Sequence, residues 1–473
     1  MNKHKSGYFL IILVVTALLL EGCSAGKNYE RSELGIPPTY SAKASAEDTS
    51  LAARPWREFF SDTILVSFID RALLNNFDIQ LAIKRVDVYQ SLAKQARAEW
   101  LPTLHVQASG STVNPSGKSL SGISLENFLG TDHLEDYTLS ANLSWEIDVW
   151  GKIRRKNEAS QADYLESYEV RKAVQTSLIT QVADAYYNLL MMESQLAVAR
   201  RTVQLNDSTV RMIELQKTAG EVTSLAVEQS LAQKQRAELL VQQLEEAKQL
   251  QQNGLRLLLG DYPGDVALNR SLYELSPNVT LTTGVPADVL RFRPDVRASE
   301  QALVAANARV GVAQASLYPS LSLTAAGGLN AFRASDWFNT PASLFGTVAG
   351  NLVQPVFARR ALKTNLEVAH TQRDQRAIEF RQSVTVAVHD VVNALIKLDK
   401  LKNQQLIASQ RVETLDRAVI NAQLLFRSGL ANYLEVLTAQ RTALDANLEK
   451  AIITRQQLSA HVELYKSLGG GAF

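Results

Sequence analysis

Cysteine is almost missing from this chain of 473 residues, which holds one, Cys23. That excludes an internal disulfide framework and any zinc site built on several thiolates. A charge excess is missing too, since 49 Lys and Arg stand against 48 Asp and Glu. Without surplus cations to neutralise phosphates, binding of nucleic acid through bulk charge is not expected. Proline is absent between Pro115 and Pro263 and after Pro355, and glycine between Gly151 and Gly220 and between Gly350 and Gly429. Nothing in those stretches forces a helix to break. His4, His105, His133, His370, His389 and His461 are scattered, with no HExxH or other ligand spacing, so no metal or cofactor is expected. Gly117-Lys118-Ser119 has the tail of a phosphate loop, but Thr112 stands where its first glycine belongs. No GxSxG elbow occurs either, and the chain is not expected to be an enzyme.

What is present starts with an address. Lys3 and Lys5 precede an apolar run from Tyr8 to Leu20, too short to cross a hydrocarbon layer of about 30 Å as a helix. It reads as a signal peptide. The run ends Leu20-Glu21-Gly22-Cys23, where a bacterial lipoprotein signal places its acylated residue; Glu21 departs from the small residue usual there. Cys23 is the expected lipidation site, with residues 1–22 removed. That removal takes two Lys and one Glu and leaves the two charge signs equal.

The chain repeats itself. NNFDIQLAIKRVDVYQSLAKQARAEWLPTLHVQASG from Asn75 lies over FRPDVRASEQALVAANARVGVAQASLYPSLSLTAAGG from Phe292, and GEVTSLAV from Gly220 lies over GLANYLEV from Gly429. Two copies of a unit of about 210 residues follow, and in each the hydrophobic period changes in the same order. Tyr137, Leu139, Ala141, Leu143, Trp145, Ile147 and Val149 alternate with Thr138, Ser140, Asn142, Ser144, Glu146 and Asp148. That is a strand with one apolar and one polar face. Similar alternation follows Pro102 and Pro319, and the repeat places a fourth strand near 343–356. The period then becomes helical. Leu178, Val182, Ala185, Leu189, Met192, Leu196, Ala199 and Val203 step by four and three alternately, the heptad seam of packed long helices. A helix from about 152 to 218 would be on the order of 100 Å long. Gly220 and Gly429 end the two rods, and each begins a turn into a second helix.

An amphipathic strand belongs either in a soluble sandwich or in a membrane barrel with lipid outside and water inside. Segments near the ~10 residues a tilted membrane strand needs, on a secreted chain, favour the barrel. Four strands cannot close one, because small barrels need about eight, so oligomerisation is required. Symmetry alone allows several ring sizes.

RPWREFFSDTILVSFIDRALLNN near Pro55, LSWEIDVWGKIRR from Leu143, GVPADVLRFRPDVRASEQALVAANARVGVAQASLYPSLSLT from Gly284, GLANYLEVLTAQ from Gly429 and LYKSLGGG near the end resemble one family. It is that of the lipoprotein outer-membrane factors of Gram-negative tripartite efflux pumps, the TolC-like channels of the NodT/OprM group. The resemblance covers nearly the whole mature chain. It implies a homotrimer, with a shared 12-stranded β-barrel in outer-membrane lipid continuing into a 12-helix α-barrel across the periplasm. It implies a passive conduit for drugs or other small molecules, fed by an inner-membrane pump of the proton-driven resistance-nodulation-division (RND) type through a periplasmic adaptor. The alternative of another class is a periplasmic coiled-coil scaffold or adaptor lipoprotein without a pore.

On that reading the chain divides into a lipid-anchored segment at 23–62, a first repeat at 63–262, a linker at 263–285, a second repeat at 286–466 and a tail at 467–473. The expected strands lie near 102–113, 137–149, 319–330 and 343–356. The resemblance makes the turns the periplasmic tip, where channels narrow and adaptors dock, through Thr218, Gly220, Glu221, Ser224, Ser428, Gly429, Asn432 and Tyr433. Ala431 stands where the family often has Asp, which leaves Glu221 as the nearest carboxylate, either gating or simply solvated. Tyr137, Trp145, Trp150, Trp337 and Phe338 are candidate interfacial aromatics, with ordinary packing an equal reading for Trp145. The polar loops 114–136 and 330–343 are expected outside the cell. Arg154, Arg155 and Lys156 resemble a family feature after the second strand, with a solvated helix start the safer reading.

Overall fold

The structure is a computed structural model and describes residues 25–37, 55–275 and 286–471. Cys23, the signal peptide and part of the expected linker lie outside the described residues. Among the described residues, packing divides the chain into two compact units, one of residues 25–32, 87–165 and 301–378, the other of residues 33–37, 55–86, 166–275, 286–300 and 379–471.

The first unit holds four strands, β1 Thr103–Val113, β2 Leu134–Ile147, β3 Ser320–Ala331 and β4 Leu344–Val353, in one antiparallel sheet of order β1-β2-β3-β4. The register carries the alternation across the sheet. Val106 pairs with Ala141, Leu143 with Ala325 and Ala325 with Val348, while His105 pairs with Asn142 and Ser144 with Thr324. Apart from the pair Thr112 and Glu135 at the loop end, every second position is apolar or glycine on the same face, because pleated side chains alternate and no strand is out of step. Among the described residues nothing covers that face: Leu104 is 66% exposed, Val106 74% and Val348 76%. β4 ends two residues before Pro355, which has no N–H to give a ladder.

The loop between β1 and β2 contains a helix that no periodicity predicts, α3 Leu120–Leu129, after α1 Thr63–Asn75 and α2 Phe77–Ala98. Ser119 caps α3 by accepting the Gly122 N–H at 3.1 Å, and Gly130 ends it at φ +64°.

The second unit is helical, and several of the chain's long helices have one end in the first unit. α4 Lys152–Thr218 and α7 Ala361–Arg427 have 67 residues each, and α5 Ser224–Leu258 and α8 Tyr433–Ser467 have 35 each. α6 Pro294–Ala315 matches α2 at 22 residues. The expected seam is buried at Leu178, Val182, Leu189, Leu196 and Ala199, and at Val384, Val391 and Leu398 in the second copy. The fully buried Tyr186 donates its hydroxyl to Asp62 at 2.7 Å, and Asp62 also caps α1 through the Ile64 N–H. Among the described residues no helix is long and apolar enough to cross a membrane.

Candidate functional site: the hairpin turns and the aromatic ends of the sheet

The two hairpin turns share one geometry. Gly220 has φ +81° and Gly429 φ +70°. The Gly220 N–H reaches the Lys217 carbonyl at 3.0 Å and the Glu221 N–H the Gln216 carbonyl at 2.9 Å. In the second turn Gly429 bonds Phe426 at 3.2 Å and Leu430 bonds Leu425 at 2.9 Å. This paired pattern satisfies the last carbonyls of α4 and α7 and turns the chain back sharply. Asn432 then caps α8, its side-chain oxygen accepting the Glu435 N–H at 3.2 Å.

Ile213, Ala226, Phe426 and Val436 form a small buried cluster joining the two hairpins, with Val222 and Tyr433 packed against it. The Tyr433 hydroxyl donates to the Gln229 side chain at 2.9 Å, a second tie between them. Thr218 and Ser428 turn their hydroxyls back onto carbonyls of their own helices. Glu221 and Ser224 are exposed. Behind the turns, Asp207 accepts from Lys234 at 2.7 Å and pairs with Arg211 at 2.8 Å; the Lys234 hydrogen bond holds its carboxyl below the usual range. Periodicity missed the exposed Leu215 and Leu430 at this end, and missed Gln440, which bonds Thr209 at 3.0 Å in the buried seam.

In the strand unit the named aromatics fall into two groups. Tyr137 lies 5.6 Å from Trp337, which lies 5.0 Å from Phe338, all at the loop end of the sheet. The Tyr137 ring also covers Gly110 on β1. At the other end the Trp145 indole donates to the Trp100 carbonyl at 2.8 Å, and Trp150 donates to the Pro319 carbonyl at 2.7 Å while stacking on Tyr318. Eight residues of strand separate Tyr137 from Trp145, about 26 Å along the chain. That is of the order of the ~25 Å apolar band of a membrane barrel.

At the start of α4 Arg154 and Lys156 are exposed, as expected, and Arg155 is not. Asp148 accepts the N–H groups of Ile153 and Arg154 at 2.9 and 3.0 Å, where a carboxylate favours a helix start. Lys156 pairs with Glu99 at 2.6 Å. Arg155, read from sequence as solvated, is 7% exposed: besides Glu158 three residues on, it bonds Ala25 and Gly26, far away in the chain, which pack over it.

A family model described as outer membrane efflux protein matches residues 68–261 and 285–470. The chain belongs to the outer membrane efflux protein family. The cation efflux system protein CusC of Escherichia coli O6:H1 is 30% identical over 473 residues, covering 96% of this chain and 97% of CusC. The solvent efflux pump outer membrane protein SrpC of Pseudomonas putida is 31% identical over 464 residues, covering 96% of each. The solved open state of the Neisseria gonorrhoeae MtrE outer membrane channel matches with a TM-score of 0.84 at 25% identity, over 95% of this chain and 99% of that one. The fold is that of the TolC-like channels. The chain is an outer-membrane efflux channel of the kind that serves tripartite pumps, a passive conduit in the Gram-negative outer membrane and not an enzyme.

Proposed function

We propose that three copies of the chain close one 12-stranded barrel in the outer membrane and one tube of twelve long helices across the periplasm. One observation carries the reading: a four-stranded sheet whose apolar face is in register and uncovered, and whose edges β1 and β4 have no partner among the described residues. A soluble sandwich would bury that face, whereas lipid and sister subunits complete both the face and the edges. The loops bearing Trp337 and α3 then face the exterior.

The conduit takes small molecules from an inner-membrane RND-type pump through a periplasmic adaptor, and Cys23 carries the lipid. Each chain contributes the two repeats, 63–262 and 286–466, joined through 263–285. The turns holding Thr218, Gly220, Glu221, Ser224, Ser428, Gly429, Asn432 and Tyr433 form the periplasmic constriction and the adaptor-docking end. Support comes from the Tyr433–Gln229 bond and the shared cluster, which hold both hairpins together at that end.

The test is conductance in planar lipid bilayers. Acylated trimer should give discrete channels, and Glu221→Ala combined with Tyr433→Ala should raise the single-channel conductance. Acylated trimer that never conducts overturns the channel, and unchanged conductance in the double variant removes both residues from the constriction.

A further inference from the structure

Ala25 to Lys27 lie closest to Cys23 among the described residues of the amino-terminal segment, and they are docked. The Ala25 N–H donates to the Trp150 carbonyl at 3.0 Å. The Arg155 guanidinium donates to the Ala25 carbonyl at 3.2 Å and to the Gly26 carbonyl at 3.1 Å, and pairs with Glu158 at 2.6 Å. Asn307 on α6 donates to the Lys27 carbonyl at 2.9 Å. Gly26 has φ +82°, and a Cβ added there would lie 2.7 Å from the Gly311 Cα. A Cβ on Gly311 would in turn lie 2.9 Å from the Arg155 stem. Two glycines thus let two backbones cross, with the arginine laid alongside.

The internal repeat supplies a control. α2 and α6 align residue for residue, and Lys94 and Gln90 stand in α2 where Gly311 and Asn307 stand in α6. α4 and α7 align likewise, and Thr364 stands where Arg155 does. The notch and the fork therefore occur together at one of two pseudo-equivalent places. Glycine inside a helix is unfavourable, so Gly311 goes against the helix that carries it. A planar guanidinium whose donors diverge onto successive carbonyls is recognition that a lysine cannot reproduce.

We propose that Arg155, Asn307 and the Gly311 notch form a docking site for the segment Ala25–Lys27, fixing the lipid-bearing end of the mature chain beside Trp150 at the base of the strand sheet. The proposal rests on acylation of Cys23. Two residues of extended chain span about 7 Å, so docking at Ala25 sets the depth at which the acyl chains leave the protein.

The experiment uses the full chain in outer membranes, with radiolabelled palmitate reporting acylation and trypsin cleavage after Lys27 reporting docking. Cleavage after Lys217, in the last turn of α4, serves as the reference for an intact fold. Arg155→Ala, Arg155→Lys and Gly311→Val should speed release of the labelled peptide at least tenfold over the wild type, with palmitate incorporation and Lys217 cleavage unchanged. Asn307→Ala, which leaves no buried charge unpaired, should speed it severalfold and keeps the test open if the stronger variants misfold. Equal release from the wild type and Asn307→Ala, Arg155→Lys and Gly311→Val overturns the docking site. Protection of Lys27 that depends on Arg155 in a wild type without palmitate overturns the anchor while leaving the peptide site standing.

Discussion

His461 shows how a residue acquires behaviour that spacing cannot reveal. It is one of six scattered histidines without ligand spacing, which says nothing of its surroundings. In α8 its Nδ1–H donates to the Gln457 carbonyl at 2.8 Å, and burial pushes the imidazole below its ordinary value of 6.5. The folded chain then binds fewer protons than the unfolded one just below pH 6.5. The stability this histidine contributes is present above that pH and is lost as pH falls toward the folded value. His461→Gln should therefore flatten the acid side of the stability profile between pH 6.5 and 5, read as Tm against pH for the detergent-solubilised protein. An unaltered profile would show that His461 is solvated in the assembled protein. Arg155 and Asp62 were illegible for a related reason. Besides local partners, Arg155 bonds Ala25 130 residues away and Asp62 accepts from Tyr186 124 residues away, and no local pattern encodes a contact across that distance.

Elements were more legible than residues, because helix termini carry their own chemistry. Absence of proline and glycine over the rods, followed by Gly220 and Gly429, marks both ends of α4 and the end of α7 almost to the residue, while α7 starts six residues after Pro355. Period-two alternation marks β1, β2 and β3, while Gly346 and Gly350 blur β4. α3 escaped because Leu-Ser-Gly-Ile-Ser-Leu-Glu-Asn-Phe-Leu offers no clean stripe. The turn glycines permit a local prediction. Nothing lies within 4 Å of a Cβ built on Gly429, so its replacement meets no steric block and is resisted by the left-handed backbone alone. Gly429→Ala should cost about 1 kcal/mol locally, seen as roughly fivefold faster hydrogen exchange at the Leu430 amide. Gly429→Asn should cost less, since asparagine tolerates that conformation, and Gly429→Val more. Identical exchange in all three would mean that the turn abandons its glycine geometry in solution.

At the scale of the whole molecule, the decisive quantity is the sidedness of the sheet. Val106 and Gln107 are neighbours on β1, and their partners Ala141 and Ser140 keep them on opposite faces. In a soluble protein with an open sheet, a charge at either exposed position would cost little. In a barrel they separate sharply, because one faces hydrocarbon and the other the aqueous lumen. An arginine on the lipid face near mid-depth costs about 2–4 kcal/mol per substituted side chain, and lumen substitutions tune selectivity instead. Three copies multiply the first penalty, since every subunit presents the same position. Val106→Arg should accordingly abolish or greatly reduce the heat-modifiable oligomer in outer membranes, whereas Gln107→Arg should assemble at wild-type levels and shift ion selectivity toward anions. The pairing makes the outcome independent of expression or signal processing, which the two variants share. Equal assembly of both would mean that the uncovered face meets something other than lipid, and the barrel would have to be abandoned even though the chain is an efflux-family protein.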